Sequence, residues 1–232
     1  FSSNLGGNHD LWVMNADGSD REPWITLEAW DDYPRWSPDG AQLAFATTAE
    51  TNGVWNSEIF VGTGNASLRR VTFNTGRDEW PTWSPDGRRL ACSSDRDTDM
   101  DIYVFAADGS NITNWTADTA FNEQPAWSPD GEWIAFIRMA QTAPGEKADM
   151  GDVWIGRLDQ SEFRQLTQDG HAINPAWSPD SRYIVFSHYW DLTEDGKVTP
   201  EDASDLLAIA IDGGEPFVLT SGNGQDFAPQ WK

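Results

Sequence analysis

The chain has 232 residues, of which 38% are hydrophobic and 14 are tryptophan, so it has enough apolar side chains to build a folded core. Its formal net charge of −23 argues against binding to nucleic acid or to anionic membrane surfaces, because both need many Lys and Arg side chains. No apolar run approaches the roughly 18 residues needed to span a bilayer, so we expect no membrane insertion.

One short motif, Trp-Ser-Pro-Asp-Gly, recurs along the chain. It begins at Trp36, Trp83 and Trp127, and a fourth copy at Trp177 has serine in place of the glycine. A proline lies two residues before each of these tryptophans and before Trp231. These prolines are Pro34, Pro81, Pro125, Pro175 and Pro229, which are 47, 44, 50 and 54 residues apart. A fixed motif at this period indicates a propeller or a solenoid.

Each repeat contains four short segments with strand character. In the second repeat they are residues 33–37, 42–47, 58–63 and 68–72, which we call strands A to D, and Pro-Asp-Gly favours a turn between A and B. Four strands per repeat predict a single-domain, all-β propeller with one blade per repeat. The five predicted blades are 229–232 with 1–27, 33–72, 80–116, 124–167 and 174–220.

The first predicted blade is shared between the two chain termini, which would leave no sheet edge exposed. The alternative is that the chain is part of a six-bladed propeller. In either case we expect the repeated tryptophans to pack between blades; they are Trp36, Trp83, Trp127, Trp177 and Trp231.

The two ends of each predicted blade differ. The A–B and C–D turns are short and uniform, whereas the B–C and D–A loops vary in length and sequence. Loops on a rigid scaffold usually carry binding, so we predict that the variable end is the functional surface. The carboxylates that begin strand C recur in every repeat, and we expect them to make structural hydrogen bonds. They are Asp10, Glu58, Asp101, Asp152 and Asp205.

The B–C loop of the last repeat, residues 191–202, resembles the calcium loop of EF-hands and dockerins. Gly196 stands at the position of the sharp turn. The expected cofactor is a structural calcium ion, and the alternative is a solvated acidic loop. The predicted ligands are Asp191, Thr193, Asp195, the carbonyl of Lys197, Thr199 through water, and Asp202. Thr193 replaces the usual Asp or Asn, and Asp202 is shorter than the usual Glu.

Acidic side chains precede strand A in most repeats, where a propeller opens on its central channel, and tryptophans stand in two of the B–C insertions. Together they form the predicted partner-binding set, because carboxylates attract basic partners and tryptophan is common at interfaces. The set is Asp31, Asp32, Trp55, Asp78, Glu79, Glu123, Trp190 and Asp226. The alternatives are a solvated rim for the acids and packing between blades for the tryptophans.

We predict no catalytic residue. The chain has no Gly-x-Ser-x-Gly motif, which a propeller-bearing serine peptidase would need. The three histidines, His9, His171 and His188, lack metal-ligand spacing, and we expect His188 to be a satisfied loop residue. Glycoside hydrolysis by paired carboxylates stays open, because their separation cannot be read from sequence.

The repeat Pro-x-Trp-Ser-Pro-Asp-Gly, followed by Asp-Ile-Tyr-Val-Phe-Ala-Ala-Asp-Gly-Ser and Leu-Thr, resembles the TolB-type, WD-like propeller repeat called PD40. The resemblance covers nearly the whole chain. It implies a periplasmic, extracellular or cell-surface scaffold that binds protein partners and can join a larger complex. The competing function is a propeller that binds or hydrolyses carbohydrate with carboxylates and tryptophan on the variable end.

Overall fold

A computed structural model describes residues 1–51, 54–143, 146–190, 203–222, 224–226 and 228–231. Over these residues the protein is built from β-strands, with a single 3-10 turn at Asn65–Ser67 and no helix that is long and apolar enough to cross a membrane. The chain divides into two compact units, Phe1–Asn114 and Trp115–Lys232.

The first unit contains three antiparallel sheets in which neighbouring strands follow one another in the chain. The first sheet has three strands, β1 (Ser2–Ser3), β2 (Asp10–Val13) and β3 (Glu22–Ile25). The second has four, β4 (Trp30–Trp36), β5 (Leu43–Thr51), β6 (Val54–Gly62) and β7 (Arg69–Arg70). The third has four, β8 (Asp78–Trp83), β9 (Arg89–Ser94), β10 (Asp101–Ala106) and β11 (Thr113–Asn114).

The second unit repeats the four-stranded pattern twice. One group is β12 (Phe121–Trp127), β13 (Trp133–Ala143), β14 (Glu146–Arg157) and β15 (Phe163–Gln165). The other is β16 (Ala172–Trp177), β17 (Tyr183–Tyr189), β18 (Ser204–Ala210) and β19 (Phe217–Val218). One residue pair, Gly151 with Ala172, joins the two groups into a continuous sheet.

These sheets match the prediction for the four complete repeats. Each is an antiparallel run of four consecutive strands, which is the blade of a propeller. Residues 228–231 carry no strand assignment, and the number of blades and the shared first blade stay predictions.

Two of the variable B–C segments, in the second and fourth repeats, are hairpins where the sequence suggested loops. Residues of β5 and β6 pair without interruption from Leu43 with Gly62 to Thr51 with Val54. β13 and β14 also extend, to Ala143 and Glu146, with two register shifts after Met139. The extended pairing satisfies the backbone N–H and C=O groups of these insertions. In a protruding loop these groups would have to bond to water instead. Trp55 therefore lies on a strand.

The repeated tryptophans show where neighbouring sheets pack. Trp83 and Trp177 are buried and donate their indole N–H to backbone carbonyls of the preceding four-stranded group, those of Arg35 at 3.1 Å and Ala126 at 2.9 Å. Trp127 is also buried. Trp36 and Trp231 are more exposed. Trp36 still packs on the preceding sheet, where its ring lies 4.9 Å from that of Trp24, but that sheet has three strands and covers the indole only in part.

The Ser-Pro-Asp-Gly turns have the uniform structure that the motif predicts. Ser84 donates its hydroxyl to Asp86 at 2.6 Å and accepts the backbone N–H of Arg89 at 2.9 Å. The same two bonds form in the turns that begin at Ser37, Ser128 and Ser178. The accepted hydrogen bonds lower the pKa of the turn carboxylates Asp39, Asp86 and Asp180. These aspartates are therefore structural.

Every strand A contains a β-bulge at the residue before its proline. Tyr33, Trp80, Gln124 and Asn174 have φ between 54° and 58°, and the pairing register shifts at each of them. This left-handed conformation is uncommon for non-glycine residues, and local preference before proline gives no hint of it. A β-bulge redirects the side chain at its position. Here the ring of Tyr33 stacks on that of Trp80, the bulge residue of the next sheet, at 4.1 Å between centroids. Ala228, before Pro229, shares the conformation, with φ of 53°.

Candidate functional site

The variable end of the first unit carries an exposed cluster of aromatic and acidic side chains, which we call the aromatic patch: His9, Trp30, Asp32 and Trp55. Trp30 begins β4 opposite Thr48, which in turn pairs with Ser57 of β6. Trp55 lies two residues before Ser57, so period-two alternation places both tryptophans on the same face of the sheet.

Ring contacts hold the patch together. The Trp30 and Trp55 rings are 5.9 Å apart, and the His9 ring stacks beside Trp30 at 5.8 Å. Nδ1 of His9 lies 3.2 Å from a carboxylate oxygen of Asp32. The two tryptophans expose 53% and 58% of their surface. The sequence placed Asp32 and Trp55 in the partner-binding set, and the structure joins them through Trp30 and His9, which that set did not contain.

Asp31, which precedes Asp32, is completely buried. Its carboxylate accepts the Thr47 hydroxyl at 3.0 Å and the backbone N–H of Leu27 at 3.4 Å. Burial raises the pKa of Asp31 to about 7, because the hydrogen bonds only partly offset the loss of hydration and the carboxylates of Asp10 and Asp32 are nearby.

Asp78 holds the equivalent buried position in the third sheet, where it has a cationic partner. Its carboxylate lies 2.8 Å from the guanidinium of Arg96, which also sits over the Tyr103 ring at 4.3 Å. Asn74 donates to the second carboxylate oxygen at 2.5 Å. The side chains of Asp31 and Asp78 are therefore buried and do not form part of the surface.

The other members of the predicted partner-binding set are spread over both units. In the first unit, Glu79 is half-buried and accepts the Ser57 hydroxyl at 3.3 Å. In the second, Glu123 is buried, Asp226 is exposed, and the half-exposed Trp190 donates its indole N–H to Asp205 at 2.8 Å. All six predicted calcium ligands lie outside the described residues.

Four of the five carboxylates that begin strand C make the predicted hydrogen bonds, whereas the buried Oδ1 of Asp10 has no partner among the described residues. Glu58 accepts the Thr72 hydroxyl at 2.7 Å and pairs with Arg70. Asp152 accepts the Thr167 hydroxyl at 3.1 Å and the backbone N–H of Gly170 at 2.9 Å. The bonds from Thr72, Thr167 and Gly170 tie the start of strand C to the segment after strand D.

A second cluster, at the variable end of the last repeat, consists of Asp169, His171 and His188, which we call the histidine cluster. Asp169 and His171 come immediately before β16, and His188 lies on β17 opposite Ala172. The imidazole Nε2 of His188 is 2.7 Å from Asp169 Oδ2, and the two histidine rings are 5.8 Å apart. One potential ligand atom from each residue lies within 4.8 Å of the others.

This cluster corrects the expectation for His188. The residue belongs to a strand, is buried, and stands beside a second histidine and the Trp190 ring, at 4.3 Å. Spacing along the chain did not reveal the cluster, because antiparallel pairing of β16 with β17 brings together residues that are 19 apart. His188 follows the core residues of strand B in the sequence. That position would have indicated the histidine cluster only if the pairing of β16 with β17 had been known.

The second unit also has a concave pocket between the strand ends of β12 to β15. Its eight lining residues include Arg138, Asp152, Trp154 and Gln165, and the Arg138 guanidinium lies over the Trp154 ring at 4.8 Å. Asp152 is the single carboxylate among these eight described residues, and its oxygens already accept the bonds described above. A pair of converging carboxylates, which glycoside hydrolysis needs, is not formed by this lining.

The whole sequence, residues 1–232, matches the profile of the TolB beta propeller domain, PD40. A TolB-like protein from Agrobacterium tumefaciens is similar in structure, with a TM-score of 0.73 and 27% sequence identity. The alignment covers 92% of this chain and 75% of that protein. TolB from Acinetobacter baumannii has a TM-score of 0.63 and 18% identity, over 96% of this chain and 62% of its own. A search of curated protein sequences found no match.

Enzymes also share the fold. An oligogalacturonate lyase from Vibrio parahaemolyticus has a TM-score of 0.61 and 14% identity, over 91% of this chain and 59% of the lyase. At 18% and 14% identity, the similarity shows the fold alone. The profile match over the full length, together with consecutive four-stranded sheets, establishes that the chain belongs to the TolB β-propeller domain family.

Proposed function

We propose that this protein is a non-catalytic interaction module whose aromatic patch binds a protein partner. The observation that carries the proposal is the exposure of Trp30 and Trp55 side by side on one face of the second sheet. Tryptophan pairs of this kind cost free energy in water and are common at the centre of protein interfaces.

The chemistry of the patch favours a basic segment of the partner. Asp32 and His9 lie at its edge, and the chain as a whole carries a formal net charge of −23. An Arg or Lys side chain can lie over the indole rings while its charge faces the carboxylate of Asp32. The negative field of the protein would also speed the encounter with such a partner.

The family supports an extracytoplasmic location, in the periplasm, outside the cell or at its surface, and participation in a larger assembly. TolB-like proteins share this fold, and the Agrobacterium protein is the relative with 27% identity. The alternative is a propeller that binds or hydrolyses carbohydrate. One observation favours it, because Trp154 lies at the edge of the pocket. The single carboxylate there, already engaged, favours binding over hydrolysis.

Capture of partners on the purified protein tests the proposal. Trp55→Ala removes half of the tryptophan pair, and Trp36→Ala removes a similarly exposed tryptophan from the opposite end of β4. Quantitative mass spectrometry should find a basic protein that binds the wild type and Trp36→Ala but not Trp55→Ala, and that is released by salt. Equal capture by all three proteins, or no salt-sensitive partner, would remove the support for the patch.

We further propose that residues 191–202 bind a structural calcium ion through the predicted ligands. An ion that binds only the folded protein stabilises it by mass action. Calcium should raise the melting temperature of the wild type, EDTA should reverse the rise, and Asp191→Ala should abolish it. The acidic substitution Asp39→Ala, in a uniform turn, is the matched control and should leave the calcium response intact. A wild-type melting temperature that ignores EDTA would refute this site.

A further inference from the structure

We propose that Asp169, His171 and His188 form a binding site for a divalent transition-metal ion, with Zn²⁺ as the best-suited probe. The site shares no residue with the predicted calcium loop or with the aromatic patch, and it does not depend on the proposed function. Its ligands are two imidazole nitrogens and one carboxylate oxygen, all contributed by residues that the structure describes.

The three side chains lie close enough together to reach one ion. One donor atom from each residue already lies within 4.8 Å of the others. Ligand atoms about 2.0–2.2 Å from a tetrahedral zinc ion stand roughly 3.3 Å apart. Asp169 Oδ2 and His188 Nε2 are now 2.7 Å apart as a hydrogen bond, so they would separate by about half an ångström. Asp169 is exposed and its side chain can move by this amount.

His188 supplies the buried side of the cluster. Its side chain is only 4% exposed, and its Nε2, the atom that faces Asp169, is the nitrogen placed to bind an ion. The equivalent strand positions of the other four-stranded sheets are polar but are not histidine. Paired with the carboxylate that begins strand C, as His188 is with Asp205, they are Thr47, Ser94 and Arg138. The histidine is thus not a requirement of the blade.

The donor set selects the class of metal. Imidazole nitrogens favour Zn²⁺, Co²⁺, Ni²⁺ and Cu²⁺, whereas Ca²⁺ and Mg²⁺ prefer oxygen ligands alone. Two histidines with one carboxylate leave a fourth position on tetrahedral zinc. The cluster is buried on the His188 side and exposed on the Asp169 side, so that position faces solvent. The site can therefore take water or a donor group from another molecule as its fourth ligand.

The neighbouring indole supports the orientation of the cluster. The Trp190 ring packs on the His188 ring at 4.3 Å and is itself held by its N–H bond to Asp205. Asp205 pairs with His188 across β17 and β18. These contacts fix the buried imidazole, so a metal would organise mainly the half-buried His171 and the exposed Asp169.

Histidine NMR on the full chain tests the site directly, because the protein has only three histidines. With ¹⁵N-labelled histidine and excess Ca²⁺ present, one equivalent of Zn²⁺ should shift the ring signals of His171 and His188 and leave those of His9 unchanged. Calorimetry should give one zinc per chain. Co²⁺ in place of zinc should give the visible absorption of a low-coordinate nitrogen and oxygen site.

Matched substitutions separate a site from general binding to acidic residues. His171→Asn keeps the His188–Asp169 bond and should still fold, yet it should weaken zinc binding by roughly tenfold or more, since even outer partners of metal ligands contribute 10–100-fold. His9→Asn removes the histidine of the aromatic patch and should bind zinc as the wild type does. Zinc affinity that is equal in wild type and His171→Asn, or signals of His171 and His188 that do not move, would overturn the proposal.

Discussion

Trp30 and Trp36 are the two ends of one strand, β4, and expose nearly the same fraction of their surface, 53% and 52%. Their surroundings differ. Trp36 leads into the uniform Ser-Pro-Asp-Gly turn and contacts Trp24, at 4.9 Å between ring centroids. Trp30 lies at the variable end, beside a second exposed tryptophan, a histidine and a carboxylate.

The difference shows how one repeat serves two purposes. At the uniform end, three of the four motif tryptophans are buried, whereas Trp36 is covered only in part, by Trp24 of the three-stranded sheet before it. At the variable end, the position of Trp30 is held in the following repeats by Arg77, Phe121 and His171, so the repeat does not require a tryptophan there. A side chain that the repeat does not require, exposed beside another, is better explained by binding than by folding.

The largest effect is expected at Asp31, next to Trp30. Its pKa of about 7 lies above the ordinary value of 3.8, so its contribution to stability is full below pH 4 and is lost as the pH rises through 7. Asp31→Asn cannot ionise. Relative to wild type, it should gain up to about 4 kcal/mol of unfolding free energy between pH 4 and pH 8. Denaturant unfolding at both pH values measures this gain.

The control for Asp31 is Asp39→Asn at the other end of the same strand. Hydrogen bonds from Ser37 and Ala41 lower the pKa of Asp39, so its contribution is lost as the pH falls. This variant should lose stability relative to wild type as the pH rises from below the ordinary aspartate pKa to neutrality. If the stability of both variants relative to wild type changed in the same direction with pH, the proposed difference between Asp31 and Asp39 would be contradicted.

An intermediate effect is expected on partner affinity. The double substitution Trp30→Ala/Trp55→Ala should weaken binding of the captured partner by about 2 kcal/mol, or roughly 30-fold, because paired tryptophans are typical hot spots. The free energy of unfolding should change by less than about 0.5 kcal/mol, as for most exposed positions. Titration calorimetry and denaturant unfolding provide the two numbers. A loss of stability as large as the loss of affinity would show that the patch is structural.

The smallest effect is expected at a uniform turn. Ser84→Ala removes the hydroxyl that links Asp86 to the N–H of Arg89 and should cost about 1 kcal/mol of unfolding free energy. Its affinity for the partner should equal that of the wild type. Reduced affinity in this variant, with the fold intact, would place a binding contact at the uniform end.

The repeat made the blades predictable, because Ser-Pro-Asp-Gly fixes a turn and period-two alternation fixes the strands on either side. The four copies placed the four-stranded sheets and the buried tryptophans Trp83, Trp127 and Trp177 correctly. The exposure of Trp36 was not predictable from the motif, since it depends on what the preceding sheet contributes.

The sites were less predictable, because they depend on pairing between strands. The bulges at Tyr33 and Asn174 oppose the local preference of a residue before proline, so only tertiary structure reveals them. Likewise, hairpin extension brings Trp55 to Trp30, and the pairing of β16 with β17 brings His188 to His171. None of these contacts has a signature in sequence spacing.

Site-specific photocrosslinking tests the central claim, that the variable end of the first unit binds a protein partner. A photoreactive phenylalanine analogue would replace Trp55 in one protein and Trp36 in another, since the two positions are similarly exposed. Irradiation in extracts of the native organism should yield a discrete protein adduct from position 55 and none from position 36. Adducts from position 36 alone, or the same adducts from both positions, would contradict the account.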